Sequence, residues 1–232
     1  MTTTGTSAFN LDFTEIVEEA FERSGLESRS GYDLKTARRS LNLLLIAWAN
    51  QGINLWTVEQ GSIPLLTGVA EYSLPVDTID LIEHVIRQNS IDISAIRISV
   101  STYATIPNKS LTGRPLQIYI NRQSGATYPV TGIKYPKAVL WPAPSDDSYT
   151  LVYWRLRRMQ DAGSGVETTD VPFRFLPALV AGLAYNIALK RPELADRVQL
   201  LKAMYDEEFQ NAMNEDRDRS AMRAVPALQY IG

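Results

Sequence analysis

LNLLLIAWANQGINLWTVEQGSIPLL, residues 41–66, contains the point at which one periodicity gives way to another. Up to Trp48 the apolar residues keep helical spacing: Leu34, Ala37, Leu41, Leu44, Leu45 and Trp48 share one face of a helix predicted to start at Asp33 and stop at Gly52. From Trp56 the chain reads instead as short apolar runs with Gly or Pro nearby, the first being Ile63 to Leu66. A helix buries a stripe of period 3.6, whereas short runs between breakers suit strands, so the architecture changes here.

Upstream, Phe13, Ile16, Val17, Ala20 and Phe21 form another helical stripe, with Glu15, Glu18, Glu19, Glu22 and Arg23 on the polar side. Asp12 is spaced for a capping box with Glu15, and Gly25 supplies a left-handed stop. Downstream, strand-like runs follow at Glu71 to Leu74, Leu81 to Arg87, Ile91 to Val100, Leu116 to Ile120, Tyr128 to Tyr135, Ala138 to Trp141 and Tyr149 to Arg155. The prolines and acids of Trp141-Pro-Ala-Pro-Ser-Asp-Asp predict a turn between two strands. After a Gly and Ser linker at 162–165, Thr169 or Asp170 is placed to cap a third helix, with Pro172 in its first turn and Pro177 able to displace that start. Leu176, Leu179, Val180, Leu183, Ala184 and Ile187 give this helix a broad apolar face. A fourth helix begins at Pro192 and carries Leu194, Val198, Leu201, Tyr205, Phe209 and Ala212 at helical spacing. The expected fold is α+β: N- and C-terminal helices packed as a bundle (1–55 and 166–232, with an N-terminal arm and a C-terminal tail) and a central antiparallel β domain (56–165) inserted between them.

Composition narrows the function. The chain has 232 residues, 45% of them hydrophobic and 21% charged, enough for one good core or two small ones. A net charge of -3 gives no reason to expect tight nucleic-acid binding, which rests on clustered Lys and Arg. The absence of cysteine removes disulfides, zinc-thiolate sites and thiol catalysis together. Met1 to Asn10 lacks the basic and apolar regions of a signal peptide, and the longest apolar run, Leu41 to Ala49, is too short to span a bilayer. The expectation is no membrane, no cofactor and no metal.

No residue pattern points to catalysis. The single histidine, His84, lies in a strand-like run with no second imidazole to share a metal, so it is expected to be structural. Glu15, Glu18 and Glu19 could pair with other carboxylates as acid and base, and a cell-wall (peptidoglycan) hydrolase is the alternative reading; solvation of a helix alone explains them equally. Arg155, Arg157 and Arg158 form the densest basic cluster, and with Arg38 and Arg39 they are candidates for a subunit interface or a DNA channel. Trp48, Trp56, Trp141 and Trp154, with Tyr119, Tyr128, Tyr135 and Tyr153, could make a sugar-binding module, although aromatics of this kind more often fill cores and interfaces. In the tail, Met222, Val225, Pro226, Leu228, Tyr230 and Ile231 have no obvious partner within the chain; each large apolar side chain is worth about 1.5 to 3 kcal/mol on burial, so docking on another chain is expected.

Several segments, in order, resemble the head-to-tail adaptors of short-tailed bacteriophages, the tail tubular protein A group. They are Asp12-Phe-Thr-Glu-Ile-Val-Glu-Glu-Ala-Phe with Gly25; Ala37-Arg-Arg-Ser-Leu-Asn-Leu-Leu-Leu through Trp48, Asn50, Gly52 and Trp56; Glu71-Tyr-Ser-Leu-Pro; Trp141-Pro-Ala-Pro; and Val171-Pro-Phe-Arg-Phe with Ala178-Leu, Gly182-Leu-Ala and Lys190-Arg-Pro. The resemblance implies a structural virion protein without catalysis, made in the host cytoplasm. It would form a ring, typically twelvefold, between the portal protein and the tail nozzle protein, with tail fibres as a further partner. The ring would surround a channel for double-stranded DNA, and the tail, residues Met222 to Ile231, would dock on the portal.

Overall fold

The computed structural model describes residues 4–6, 8–28, 31–52, 55–122, 127–128, 132–133, 135–163 and 165–215. Among these, the helices at either end are α1 (Phe13–Ser24) and α2 (Gly31–Asn50), then α4 (Leu176–Ala188) and α5 (Val198–Glu215). Between them run β1 (Val58–Pro64), β2 (Glu71–Ser73), β3 (Thr78–Gln88), β4 (Ile91–Ser94), β5 (Ile96–Ile98), the short α3 (Val100–Ala104), β6 (Thr112–Gly113) and β7 (Gln117–Asn121). The rest are β8 (Thr127–Tyr128), β9 (Gly132–Ile133), β10 (Lys137–Trp141), β11 (Ala143–Pro144) and β12 (Tyr149–Arg157). This is the expected α+β class, with terminal helices flanking a central β region. The chain divides into two compact units: Met1–Leu44 with Gly163–Thr168 and Pro172–Gly232, and Leu45–Ala162 with Thr169–Val171.

In the helical unit both ends of α1 are closed as the sequence predicts. Asp12 accepts from the Glu15 N–H at 2.8 Å, and Glu15 accepts from the Asp12 N–H at 2.9 Å, so two otherwise orphaned donors are satisfied. The Phe13 N–H finds the Glu167 carbonyl at 3.0 Å. Gly25 takes φ 86°, and a Cβ there would lie 2.0 Å from Arg197 Nη1, so glycine is required both by the turn and by the guanidinium beside it.

α4 is the buried centre of this unit, packed by α1 on one side and α5 on another. Its small residues allow that approach: a Cβ on Gly182 would sit 2.8 Å from both Leu44 Cδ2 and Tyr205 Cε2. Tyr205 stacks on Tyr185 with centroids 6.3 Å apart. Past the end of α4, Lys190 Nζ donates to Ser40 Oγ and, at 3.3 Å, to the Thr36 carbonyl, while Arg191 Nη2 donates to Asp33 Oδ1 at 2.8 Å. The Lys190-Arg pair thus ties α4 to the first turns of α2.

Three helix starts differ from the sequence reading. α2 begins at Gly31, so Asp33 lies inside its first turn, where the helix dipole favours a carboxylate. α4 begins at Leu176, after a 3-10 turn at Phe173–Phe175 and with Pro177 in its first turn; neither Thr169 nor Asp170 caps it. α5 begins at Val198, behind a 3-10 turn at Pro192–Arg197.

In the second unit two four-stranded sheets share one core. Their orders are β1-β12-β3-β4 and β2-β10-β7-β5. Leu81, Ile86, Leu151 and Tyr153 from the first meet Tyr72, Ile118, Ile120, Ala138 and Leu140 from the second. The first sheet is antiparallel throughout, as expected; in the second, β5 pairs parallel with β7, and β11 also pairs parallel with β6. The run from Ile91 to Val100, read from sequence as one strand, is two: β4 belongs to the first sheet and β5 to the second, with the buried Ala95 as the corner. The long connection through α3 supplies the crossover that a parallel pair requires.

Candidate functional site

The basic cluster at the end of β12 is a structural ion-pair network within the β unit. Arg157 Nε donates to Glu59 Oε1 at 2.6 Å, and its two Nη atoms make a bidentate contact with Asp170, one of them at 2.9 Å. Arg155 donates to Glu59 Oε2 at 2.7 Å, to Asp77 Oδ1 at 2.6 Å and to Thr78 Oγ1 at 3.1 Å. Alternation on the strand places both arginines on one face, beside the β1 carboxylate that they share. Burial pushes the Asp170 carboxyl up, but hydrogen bonds from Arg157 and the Gln160 N–H outweigh it and hold the group below the usual carboxylate range. The Asp170 carbonyl also accepts from Trp56 Nε1 at 2.8 Å, so one residue closes the site from two sides. The nearby Arg158 is exposed and pairs with Asp161 at 3.0 Å. Arg38 and Arg39 are exposed on α2.

His84 sits on β3, and its Nε2 lies 3.0 Å from the Ala95 carbonyl, at the corner where the chain leaves one sheet for the other. Its Nδ1 is buried with no hydrogen-bond partner, so a second ring proton would have nothing to bond. Burial therefore lowers its pKa below the ordinary imidazole value, reinforced by Arg97 and opposed by the Ala95 carbonyl and Glu83. Because the folded value lies under the unfolded one of about 6.5, the unfolded state binds more protons in that range. The stability from neutral His84 is complete above about pH 6.5 and is lost as pH falls toward the folded value. Urea unfolding at pH 7.5 and 5.5 should show this slope in the parent and a flatter one in His84→Gln; equal slopes would refute the assignment.

Among the described residues these aromatics do not form one platform. Trp48 and Tyr153 are buried, Trp141 Nε1 donates to the Asn108 carbonyl at 2.9 Å, and Tyr119 stacks on Tyr103 with centroids 5.4 Å apart. Tyr135 is exposed, and the Tyr128 side chain lies outside the described residues. Glu15, Glu18 and Glu19 line a groove of about 620 Å³ in the helical unit whose facing wall, built around Phe173, Leu176, Pro177 and Val180, carries no carboxylate. No cluster of metal-ligating side chains occurs among the described residues, and no helix among them is long and apolar enough to cross a membrane. The tail candidates Met222, Val225, Pro226, Leu228, Tyr230 and Ile231 lie outside the described residues.

Periodicity marked the buried helix faces but missed two exposed ones. On α2, Leu43, Ile46 and Ala47 follow i, i+3, i+4 spacing and face solvent, Leu43 at 60% exposure. On α5, Leu200, Ala203 and Met204 repeat that spacing, Leu200 at 58%. The signal was present in the sequence as helices with apolar residues beyond what a single buried stripe uses.

The ion pairs at the end of β12 are satisfied within the β unit, and two helix faces are left apolar and exposed. The family model described as SU10 adaptor protein matches residues 11–229, and the chain belongs to that family. It is a phage adaptor family, so the role is structural and the chain is a component of the virion, associating with other phage structural proteins. No curated protein matches the chain significantly.

Proposed function

We propose that the protein is a head-to-tail adaptor of the tail tubular protein A kind, forming a homo-oligomeric ring, twelvefold by that resemblance, between portal and tail nozzle. The observation that carries the reading is the pair of exposed apolar strips, Leu43 with Ile46 on α2 and Leu200 with Met204 on α5. Two different strips on one subunit suit a heterologous contact, in which one strip meets the other strip of the next copy; such contacts close into rings when the rotation allows. The ring would surround the path of double-stranded DNA, and the net charge of -3 fits a conduit that passes DNA without holding it. The Met222 to Ile231 tail would engage the portal, and the strand-rich stretch 56–165 would be presented to the nozzle and to tail fibres.

Light scattering and negative-stain imaging test this, on the protein alone and mixed with portal. Rings are expected at least in the mixture, because many subunits assemble only on a template. Leu43→Glu with Leu200→Glu should abolish the ring while circular dichroism stays unchanged, since both positions are exposed. A parent protein that remains monomeric in both conditions would overturn the proposal.

A further inference from the structure

We infer that the exposed face of α2 in one copy packs antiparallel on the exposed face of α5 in the next, in a register set by charge. This rests on the ring proposed for the protein and adds the direction and the pairing of the two helices.

Each apolar strip is half of a longer face. On α2, stepping back from Leu43 and Ile46 by turns of helix brings Arg39, Lys35 and Tyr32 onto the same side, all exposed. On α5, stepping forward from Leu200 and Met204 brings Glu207, Asn211 and Asn214 there, all exposed as well. Along the chain the α2 face therefore runs from basic to apolar, and the α5 face from apolar to acidic. The charge of the whole helices agrees. α2 carries Lys35, Arg38 and Arg39, and its one acid, Asp33, is buried and held by Arg191 at 2.8 Å. α5 carries Asp206, Glu207, Glu208 and Glu215 against Lys202 alone, and the next four residues in sequence, Asp216-Arg-Asp-Arg, add no net charge.

The basic half of α2 is not neutralised within the subunit. Among the described residues no carboxylate forms a salt bridge with Lys35, Arg38 or Arg39, and no cation forms one with Glu207 or Glu208. Arg39 lies instead near a further cation, Lys190, whose ammonium is pushed below its usual range by burial and then by that charge. A face that gathers like charge in this way gains from an acidic partner.

Only one direction matches both halves. Arg39 lies seven residues before Ile46 and Glu207 seven after Leu200, about 10 Å along either axis at roughly 1.5 Å per residue. With the helices antiparallel and Ile46 against Leu200, Leu43 falls beside Ala203 and Met204, Arg39 beside Glu207, and Lys35 beside Asn211, a turn from Glu208. In a parallel contact that kept apolar against apolar, the two charged halves would extend away from each other. The pairing is heterologous, so every copy in a ring uses one face of each kind.

The absence of cysteine allows a direct test in the full chain, under the conditions in which the parent assembles. Ile46→Cys with Leu200→Cys, and Tyr32→Cys with Asn214→Cys, should be cross-linked between chains by a short bismaleimide at least about tenfold faster than Asn50→Cys with Asn211→Cys, a pair that only a parallel contact brings within a turn of each other. Arg39→Glu and Glu207→Arg should each lower association about tenfold at low salt, and both together in one chain should restore most of it, because like charges are then opposed nowhere. Equal cross-linking rates, faster linking of the parallel pair, or losses that add without rescue would overturn the inference while the parent ring still stands. A parent that stays monomeric alone and with portal would overturn the ring itself, and the inference with it.

Discussion

Replacing Arg157 with Met should destabilise the β unit by about 3 kcal/mol at pH 7, the lower end of the range for breaking a buried ion pair, and should reverse the sign of one part of its pH dependence. Only 11% of the Arg157 side chain and 16% of the Asp170 side chain are exposed, whereas Glu59 is 44% exposed and can recover water when its partner leaves. The cost therefore falls on Asp170, which would keep only the Gln160 N–H at 3.0 Å. In the parent, the Asp170 pKa is held below its unfolded value, so its contribution is present above about pH 4 and is lost as pH falls through the folded value. Without Arg157 burial prevails and the folded pKa rises above the unfolded one. Stability is then retained below about pH 4 and lost as pH increases through the raised value. Urea unfolding followed by tryptophan fluorescence should find the variant's deficit smaller at pH 4.5 than at pH 7. Asp170→Asn in the same background should recover part of the loss at pH 7. Arg157→Lys should recover little, since one ammonium cannot serve both Asp170 oxygens and Glu59. A deficit under about 1 kcal/mol would mean that the network behaves as a surface ion pair.

That network also marks where the sequence stops being informative. Arg155 and Arg157 stand out as a charge cluster, but their partners lie 78 and 98 residues away in Asp77 and Glu59, and no local spacing announces such pairs. The same long-range pairing explains why Asp170, a good cap by position, does not cap α4: a bidentate guanidinium outcompetes a backbone N–H, and the helix starts later at Leu176. Where the deciding forces are local, the reading holds. The α1 capping box, its left-handed glycine and its buried face all follow from short spacings. The corner at Ala95 lies between these cases. Apolar residues occupy odd positions at Ile91, Ile93 and Ala95, then even ones at Ile96, Ile98 and Val100. That switch in parity is the local trace of a chain changing sheets, whereas His84, which holds the corner, lies eleven residues earlier.

The core of the helical unit offers the second large effect, at a residue that a propensity argument would improve. Glycine inside a helix costs about 1 kcal/mol relative to alanine, so Gly182→Ala should stabilise α4 if packing were indifferent. It is not: the added carbon would meet Leu44 Cδ2 and the Tyr205 ring at 2.8 Å, and both contacts belong to helices held elsewhere. Leu44 is buried at 5% exposure, and the Tyr205 ring is fixed by Tyr185 and by Phe209, whose centroid lies 5.5 Å away. Overpacking of this kind costs about 1–3 kcal/mol, so Gly182→Ala is expected to be a net loss of about 1 kcal/mol. Gly182→Val, with two further carbons and a branched Cβ, is expected to lose about 3 kcal/mol. A double-mutant cycle separates this from a general weakening of the bundle. Leu44→Ala alone should cost about 2–5 kcal/mol through its cavity. In the Gly182→Ala background part of that space is filled by the new methyl, and the pair should be about 1 kcal/mol less destabilised than the sum of its members. Strict additivity would mean that the helices move apart to admit the methyl, and that the close approach at Gly182 is not what sets their spacing.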